Sequence, residues 1–393
     1  MQPTFRQITT TGPGLSVLIA VLGILLAGGA WAFYNMEHFG HIVTGMNNQI
    51  VWGLPHVFAV FLIVAASGAL NVASIGSVFG KIEYKPFAPL SGLLALALLL
   101  GGLSILLLDL GRPDRLIVAM THFNFKSIFA WNMFLYTGFM VIVAAYLWTS
   151  LVREGAKWNK PVGLLAFGWR IMLTTGTGSI FGFLVAREAF DSALYAPLFI
   201  ALSLSYGMAI FLIVLVAVVR TTGETVSSVM LSRLRGLLVV FIVAGLWFVA
   251  ALHLTNLYMT KHHGIERFIL LDGGVITALF WLGQVALGSL LPIALLTLPR
   301  VRESTRATMA AAGFVIIGGL TQMYVTIIGG QAYPQSLFPG YVETSSFFDG
   351  VIHHYQPSAF ELLLGLGGVA VAVAILTLGL RLFRFAPYRL PAD

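Results

Sequence analysis

The sequence predicts an all-α protein that threads a membrane about ten times and keeps both ends on the cytoplasmic side. Of 393 residues, 58% are hydrophobic and 9% charged, with a mean hydropathy of +0.92. A soluble domain carries about 25% charged residues, so this chain has too few to keep a globule in water. Its apolar residues are gathered into runs of the ~20 that a spanning helix needs. The placement of Lys and Arg supplies the orientation.

Ten runs qualify, near residues 14–34, 51–78, 88–109, 127–151, 162–187, 194–219, 234–258, 273–297, 307–330 and 359–383. The start, MQPTFRQITTTGPGL, has no cleavable-signal pattern, and the run behind it is long enough to span, so the first helix is expected to be retained. Of the 22 Lys and Arg, fifteen fall at the two ends and in connections after even-numbered helices, Arg300, Arg302 and Arg389 among them. Six fall after odd-numbered helices, and Arg170 lies inside the fifth. Positive-inside bias therefore places both termini in the cytoplasm, in agreement with an even number of crossings. Residues 1–152 are expected to form a four-helix bundle and residues 153–393 a larger one of about six helices. No transporter-like inverted repeat is visible.

The net charge of +7 needs no nucleic acid, because basic residues of membrane proteins collect in cytoplasmic loops. With no cysteine, disulfides, thiolate metal sites and cysteine-ligated iron–sulfur clusters are excluded. The outer connections 35–50 and 331–358 are long, aromatic and free of Lys and Arg. They are expected to fold over the helix ends or to dock a partner.

The polar chemistry is concentrated in one stretch, DLGRPDRLIVAMTHFNFKSIFAWN, Asp109 to Asn132. Ionisable residues at membrane depth are costly and mark function by default. His56 near the outer end of the second helix, Asp109 ending the third, and Asn132 and Tyr136 opening the fourth gather toward the same side. A quinone site needs this setting: an apolar slot for the ring, a hydrogen-bond partner at each carbonyl, and a route for two protons to water. Histidine titrates in the useful range, and a carboxylate can relay. His56 and His122 are the candidate proton-exchanging groups with Asp109 as relay. Tyr34, His38, His41, Asn71, Arg112, Asn132 and Tyr136 are candidate contacts, and no metal site is expected. Asp109 paired with Arg112 as a simple turn-fixing ion pair is an equal alternative. Arg170, about 12 Å deep at 1.5 Å per residue, either anchors a water-filled cavity or bonds carbonyls. The small-residue run TGTGSIFGF (175–183) reads as close helix packing or as a bend near a ligand. His253, Gln284, Gln322 and Glu361 are further buried polar residues, read as structural.

The combination of WGL (52–54), LLLDLGRPDR (106–115), FNFKSIFAWN (123–132) and YQPSAFE (355–361) resembles the NrfD/PsrC family of respiratory membrane subunits, over about residues 14–384. Within it, the GGQAYP…FPG…SSFFDG…YQPS segment is most similar to the DsrP branch of sulfur-metabolism complexes. The resemblance implies a subunit of the bacterial cytoplasmic membrane without haem or iron–sulfur cluster of its own. It would exchange electrons between quinone, menaquinone or ubiquinone, and a periplasmic ferredoxin-like iron–sulfur subunit on its outer face. Expected further partners are a multihaem cytochrome c, a haem b membrane subunit and a cytoplasmic iron–sulfur subunit. The sequence departs from relatives that carry a histidine in the fifth helix, where Thr177 stands. A secondary transporter and a purely structural anchor are the rival readings.

Overall fold

In the computed structural model, residues 4–299, 304–335, 338, 341, 350–388 and 390 are described. Arg300, Arg302 and Arg389 of the charge count, and most of 336–349, lie outside the described residues. The long helices are α1 (Pro13–Phe39), α2 (Leu54–Ser77), α3 (Ile82–Leu108), α4 (Ile128–Leu151) and α5 (Asn159–Gly182). They continue with α6 (Tyr195–Thr222), α7 (Ser228–Tyr258), α8 (Val275–Thr297), α9 (Thr305–Ala332) and α10 (Ala359–Leu382).

Among the described residues, nine of these are long and apolar enough to cross a membrane; α5 falls short. It has the length, 24 residues, but Arg170 and the Thr–Gly–Ser run that follows dilute its apolarity. Instead of facing lipid on all sides it packs between α4 and α6, and Arg170, Thr174 and Thr177 are buried. The first helix runs about a turn further than expected, because nothing breaks it before Gly40, which takes φ +77°. His38, expected in the outer connection, therefore rides on the helix with Tyr34.

α2 is the centre of the molecule. In its most apolar window 94% is buried, against 17% in peripheral α1. α2 packs on α3, α6, α10, α9 and α5, whereas α1 rests on α10. Close approach depends on small residues. At the α2–α6 crossing Gly207 lies against the backbone of Gly68 and Ala69, and Gly68 against the Ser203 carbonyl, so a Cβ at either would overlap main chain.

Two short strands have no counterpart in the sequence reading. Thr4–Arg6 pairs antiparallel with Ala386–Tyr388, the Arg6 guanidinium lies 4.7 Å from the Tyr388 ring centre, and Arg6 also donates to the Thr222 carbonyl. Three residues per strand carry too little alternation to register as a pattern. This ribbon joins both ends of the chain on one face of the bundle. The described parts of the connections after odd-numbered helices lie at the opposite end, the outer one by positive-inside bias.

Candidate functional site

Three turns bring the site together. α3 ends at Asp109, whose backbone N–H still bonds the Ile105 carbonyl at 2.9 Å. The chain then reverses at Gly111, φ +70°, a conformation side chains resist. A short turn, His41–Val43, follows α1, and α2 starts directly after Trp52–Gly53. The result sets Asp109 between two imidazoles. His41 Nε2 is 3.4 Å from Asp109 Oδ1, and it is 3.2 Å from the Asp109 carbonyl. His56 Nδ1 is 3.0 Å from Asp109 Oδ2.

The Asp109 side chain is 1% exposed while that of His41 is 34% exposed, so the row runs from the interior to the outer surface. These are ion-pair contacts without good donor alignment: both Asp109 oxygens and His56 Nδ1 are buried without an aligned hydrogen bond. A buried carboxylate in that state is costly and is ready to accept from a ligand. Burial pushes the Asp109 carboxyl up, but polar contact with His41 and His56 and their charge outweigh it and hold it below the usual carboxylate range. Contact with the Asp109 carboxylate raises the His41 imidazole above its ordinary value against the opposing effect of burial.

His56 and Asp109 open onto a cavity of about 680 Å³ bounded by α2, α3, α4, α5 and the loop after α3. Pockets for small organic ligands span roughly 300–1,000 Å³ and are mostly apolar with a few placed polar groups. Its walls fit that description: Ile63, Leu103, Leu107, Met133, Met140, Ile180 and Ile327 are apolar, and Trp52, Phe129 and Phe181 supply rings. Trp52 stacks on His56 with ring centres 6.1 Å apart and meets Phe129 and Phe181 at 5.9 and 6.0 Å. Asn132 and Tyr136 line the cavity too. Asn132 donates to the Ile128 and Gly176 carbonyls at 2.9 and 3.0 Å, and the Tyr136 hydroxyl lies 3.5 Å from Thr177 Oγ1.

The structure thus brings Asp109, His56, Arg112, Asn132 and Tyr136 to one cavity, with His41 behind Asp109. Four expected site residues lie elsewhere, His122 of the proton-exchanging pair and three of the contacts. Tyr34 and His38 stack on each other at 5.7 Å on the exposed flank of α1, because α1 leans on α10. His122 is exposed on the outer loop, against Thr121 Oγ1 at 3.0 Å. Asn71 sits toward the cytoplasmic end of α2, where Arg170 donates to its Oδ1 at 3.0 Å.

Arg170 also donates to the Ser67 carbonyl at 3.3 Å and lies over the Phe167 ring, which decides for carbonyl bonding over a water-filled cavity. Arg112 pairs with Asp114, Nε to Oδ1 at 3.1 Å and Nη2 to Oδ2 at 3.0 Å, and not with Asp109. Arg112 and Asp114 are near neighbours in the chain, so the fork closes locally while Asp109 turns inward. Sequence reasoning missed Phe129, Phe181 and Ile327 as walls, since an aromatic or aliphatic residue in a span carries no signal of which cavity it faces. Trp52 and Thr177 stand in motifs that the sequence makes visible without giving either residue a role. Among the described residues no group of three or more His, Asp or Glu is placed to hold a metal ion.

The profile of the family described as Polysulphide reductase, NrfD matches residues 42–335. The chain is 29% identical to the Hdr-like menaquinol oxidoreductase integral membrane subunit of Archaeoglobus fulgidus, over 99% of this chain and 98% of that one. It is 24% identical to the C component of selenate reductase of Mesobacillus selenatarsenatis, over 92% of both. To the C component of polysulfide reductase of Wolinella succinogenes it is 26% identical, over 73% of this chain and 96% of that one.

Proposed function

The chain belongs to the polysulphide reductase NrfD family, and from that premise we propose that the cavity under the outer loop is where it oxidises or reduces a membrane quinone. At the coarser level it is a multi-pass subunit of the cytoplasmic membrane in a quinol-linked oxidoreductase complex, and one relative bears the name of a menaquinol oxidoreductase integral membrane subunit. The observation that carries the finer reading is the buried carboxylate without an aligned hydrogen bond, between one imidazole at the cavity and one near the outer surface.

In the oxidative direction a quinol hydroxyl gives its proton to His56. Asp109 stabilises the imidazolium, and the proton leaves past Asp109 and His41 to outer water. The other hydroxyl is held by Asn132 and Tyr136, and its proton is taken by His56 once the first has been passed on, leaving by the same route. Two electrons pass to an iron–sulfur subunit seated on the outer face, so one quinol yields one quinone, two protons and two electrons. The reverse sequence reduces quinone. The named activities of the relatives, polysulfide and selenate reductase among them, support terminal chemistry carried by a partner. The DsrP-like outer segment supports a sulfur-metabolising complex with a periplasmic ferredoxin-like subunit, a multihaem cytochrome c, a haem b subunit and a cytoplasmic iron–sulfur protein.

The decisive test is a density map of the purified complex with a quinone-site inhibitor added. A head group between Trp52, His56 and Tyr136 is the expected result. A head group elsewhere, with this cavity empty at saturating inhibitor, overturns the reading.

A further inference from the structure

Trp52 is both a wall of the cavity and the ring stacked on His56, yet it lies before the first turn of α2. The backbone of residues 50–53 makes no helix, so its polar groups need other partners. One side chain supplies three of them. Gln331, 1% exposed, accepts at Oε1 from Val51 N–H at 3.0 Å and Trp52 N–H at 3.1 Å. Its Nε2 donates to the Trp52 carbonyl at 3.0 Å and the Ile327 carbonyl at 2.8 Å, and Ile327 is itself a cavity wall. The amide's two donors and two lone pairs are all engaged.

The wide helical turn Val325–Gly329 sets the register that aims Gln331 at this segment, as such turns do near functional sites. Arg187 fixes the arrangement from outside, donating to the Gln331 carbonyl at 3.0 Å and the Gln49 carbonyl at 2.6 Å. On the other flank, Tyr355 Oη accepts from Leu54 N–H at 2.7 Å and donates to Glu361. That approach is open because Gly53 has no Cβ to meet the Tyr355 hydroxyl and the Glu361 carboxylate.

We infer that Gln331, braced by Arg187, is a positioning residue for the quinone site: it holds Trp52 and the start of α2 so that the cavity wall and His56 stay in register. The inference rests on the quinone reading. Gln331 does not line the cavity and takes no part in proton or electron transfer. A cavity wall held by fully bonded supporting residues keeps its geometry, and loosening that support degrades binding before chemistry.

The experiment is steady-state oxidation of a short-chain menaquinol analogue by the purified complex holding the full-length protein, with assembly checked by size. Gln331→Met keeps length but leaves three backbone groups of Val51 and Trp52 unpaired. The expected result is KM raised about tenfold with kcat within about threefold, the pattern of lost binding and not lost chemistry. Gln331→Glu mimics the amide only while protonated; once ionised it faces the Trp52 and Ile327 carbonyls. Its KM is therefore expected near the parent value at acid pH and to climb with pH while kcat and the size of the complex hold, whereas a brace that serves only the fold would change melting or assembly and leave KM alone. His56→Ala is measured beside them. If His56→Ala loses turnover while both Gln331 variants keep the parent KM at every pH, the positioning role is refuted and the quinone site stands. If His56→Ala turns over normally, the quinone reading fails and this inference with it. Where Gln331→Met does not assemble, Gln331→Glu alone decides by its pH response.

Discussion

Replacing Asp109 by Asn keeps the shape of the side chain and removes one negative charge from between two imidazoles. Contacts of 3.0 and 3.4 Å to His56 and His41 would then lose their charge assistance, which for hydrogen bonds to charged groups is worth about 1.5–3 kcal/mol. Their poor alignment in the resting protein argues for the lower part of that range at each contact. The His56 imidazole is still in place to meet the quinol hydroxyl, so the expected loss is about a hundredfold in kcat, about 2.7 kcal/mol and at the lower end of what general acid–base groups contribute. KM for the quinol analogue should move little, because the amide introduced by Asp109→Asn still fills the cavity wall.

The pH response has a definite sign. The folded His41 value is raised chiefly by contact with Asp109, so its stabilising contribution is complete below the unfolded value of about 6.5 and fades as pH climbs through the raised value. The folded Asp109 value is lowered, so its contribution is present above about 3.9 and is lost as pH falls through the lowered value. The difference in melting temperature between parent and Asp109→Asn should therefore be largest from about pH 4 to 6.5 and shrink at alkaline pH. In quinol oxidation His41 must be unprotonated to take up the departing proton, so the acidic limb of the rate profile should move down toward ~6.5 in the variant. An assembled Asp109→Asn complex with unchanged kcat, or with the acidic limb unmoved, would refute the relay.

Two further substitutions test what holds the bundle together. Arg170→Met orphans Asn71 Oδ1 and the Ser67 carbonyl in a buried site, at about 1–3 kcal/mol per stranded group. The double variant with Asn71→Leu removes one orphan, so a double-mutant cycle on melting in detergent should show coupling above about 0.5 kcal/mol, and additive effects would sink the pairing. Gly207→Val drives a side chain into the backbone of Gly68 and Ala69. Overpacking of this kind costs about 1–3 kcal/mol or more, so the variant should melt lower or fail to assemble, while Gly236→Val, with open space around it, should not. Equal melting of the two would show that α2 and α6 do not meet there.

Spans were legible because the bilayer imposes one simple requirement, apolar length, and each helix meets it locally. The exception explains itself. The buried face of α5 carries the residues that lower its hydropathy: Arg170 and Thr174 find carbonyl and hydroxyl partners on α2, so that face need not satisfy lipid, while Leu164, Leu165 and Met172 on its other face stay exposed. The terminal ribbon was invisible for the opposite reason: its three residue pairs are joined across almost the whole chain, and no local pattern encodes a partner that distant.

The same contrast separates the site residues. Asp109, His56, Asn132 and Tyr136 could be found because a polar group at a span's end in an apolar chain stands out, and the consecutive helices α2, α3 and α4 bring them close. Tyr34, His38 and His122 stand out equally by composition, but composition does not say which face of a helix is turned inward. α1 turns its rings outward because its small residues Gly28 and Gly29 are used against α10. Gln331 lies about 280 residues from the backbone it serves, in a stretch where one glutamine looks like any other. Crowding of polar residues therefore points to the end of the bundle that holds the candidate cavity, whereas the residues that give that end its shape emerge only once the long-range packing is known.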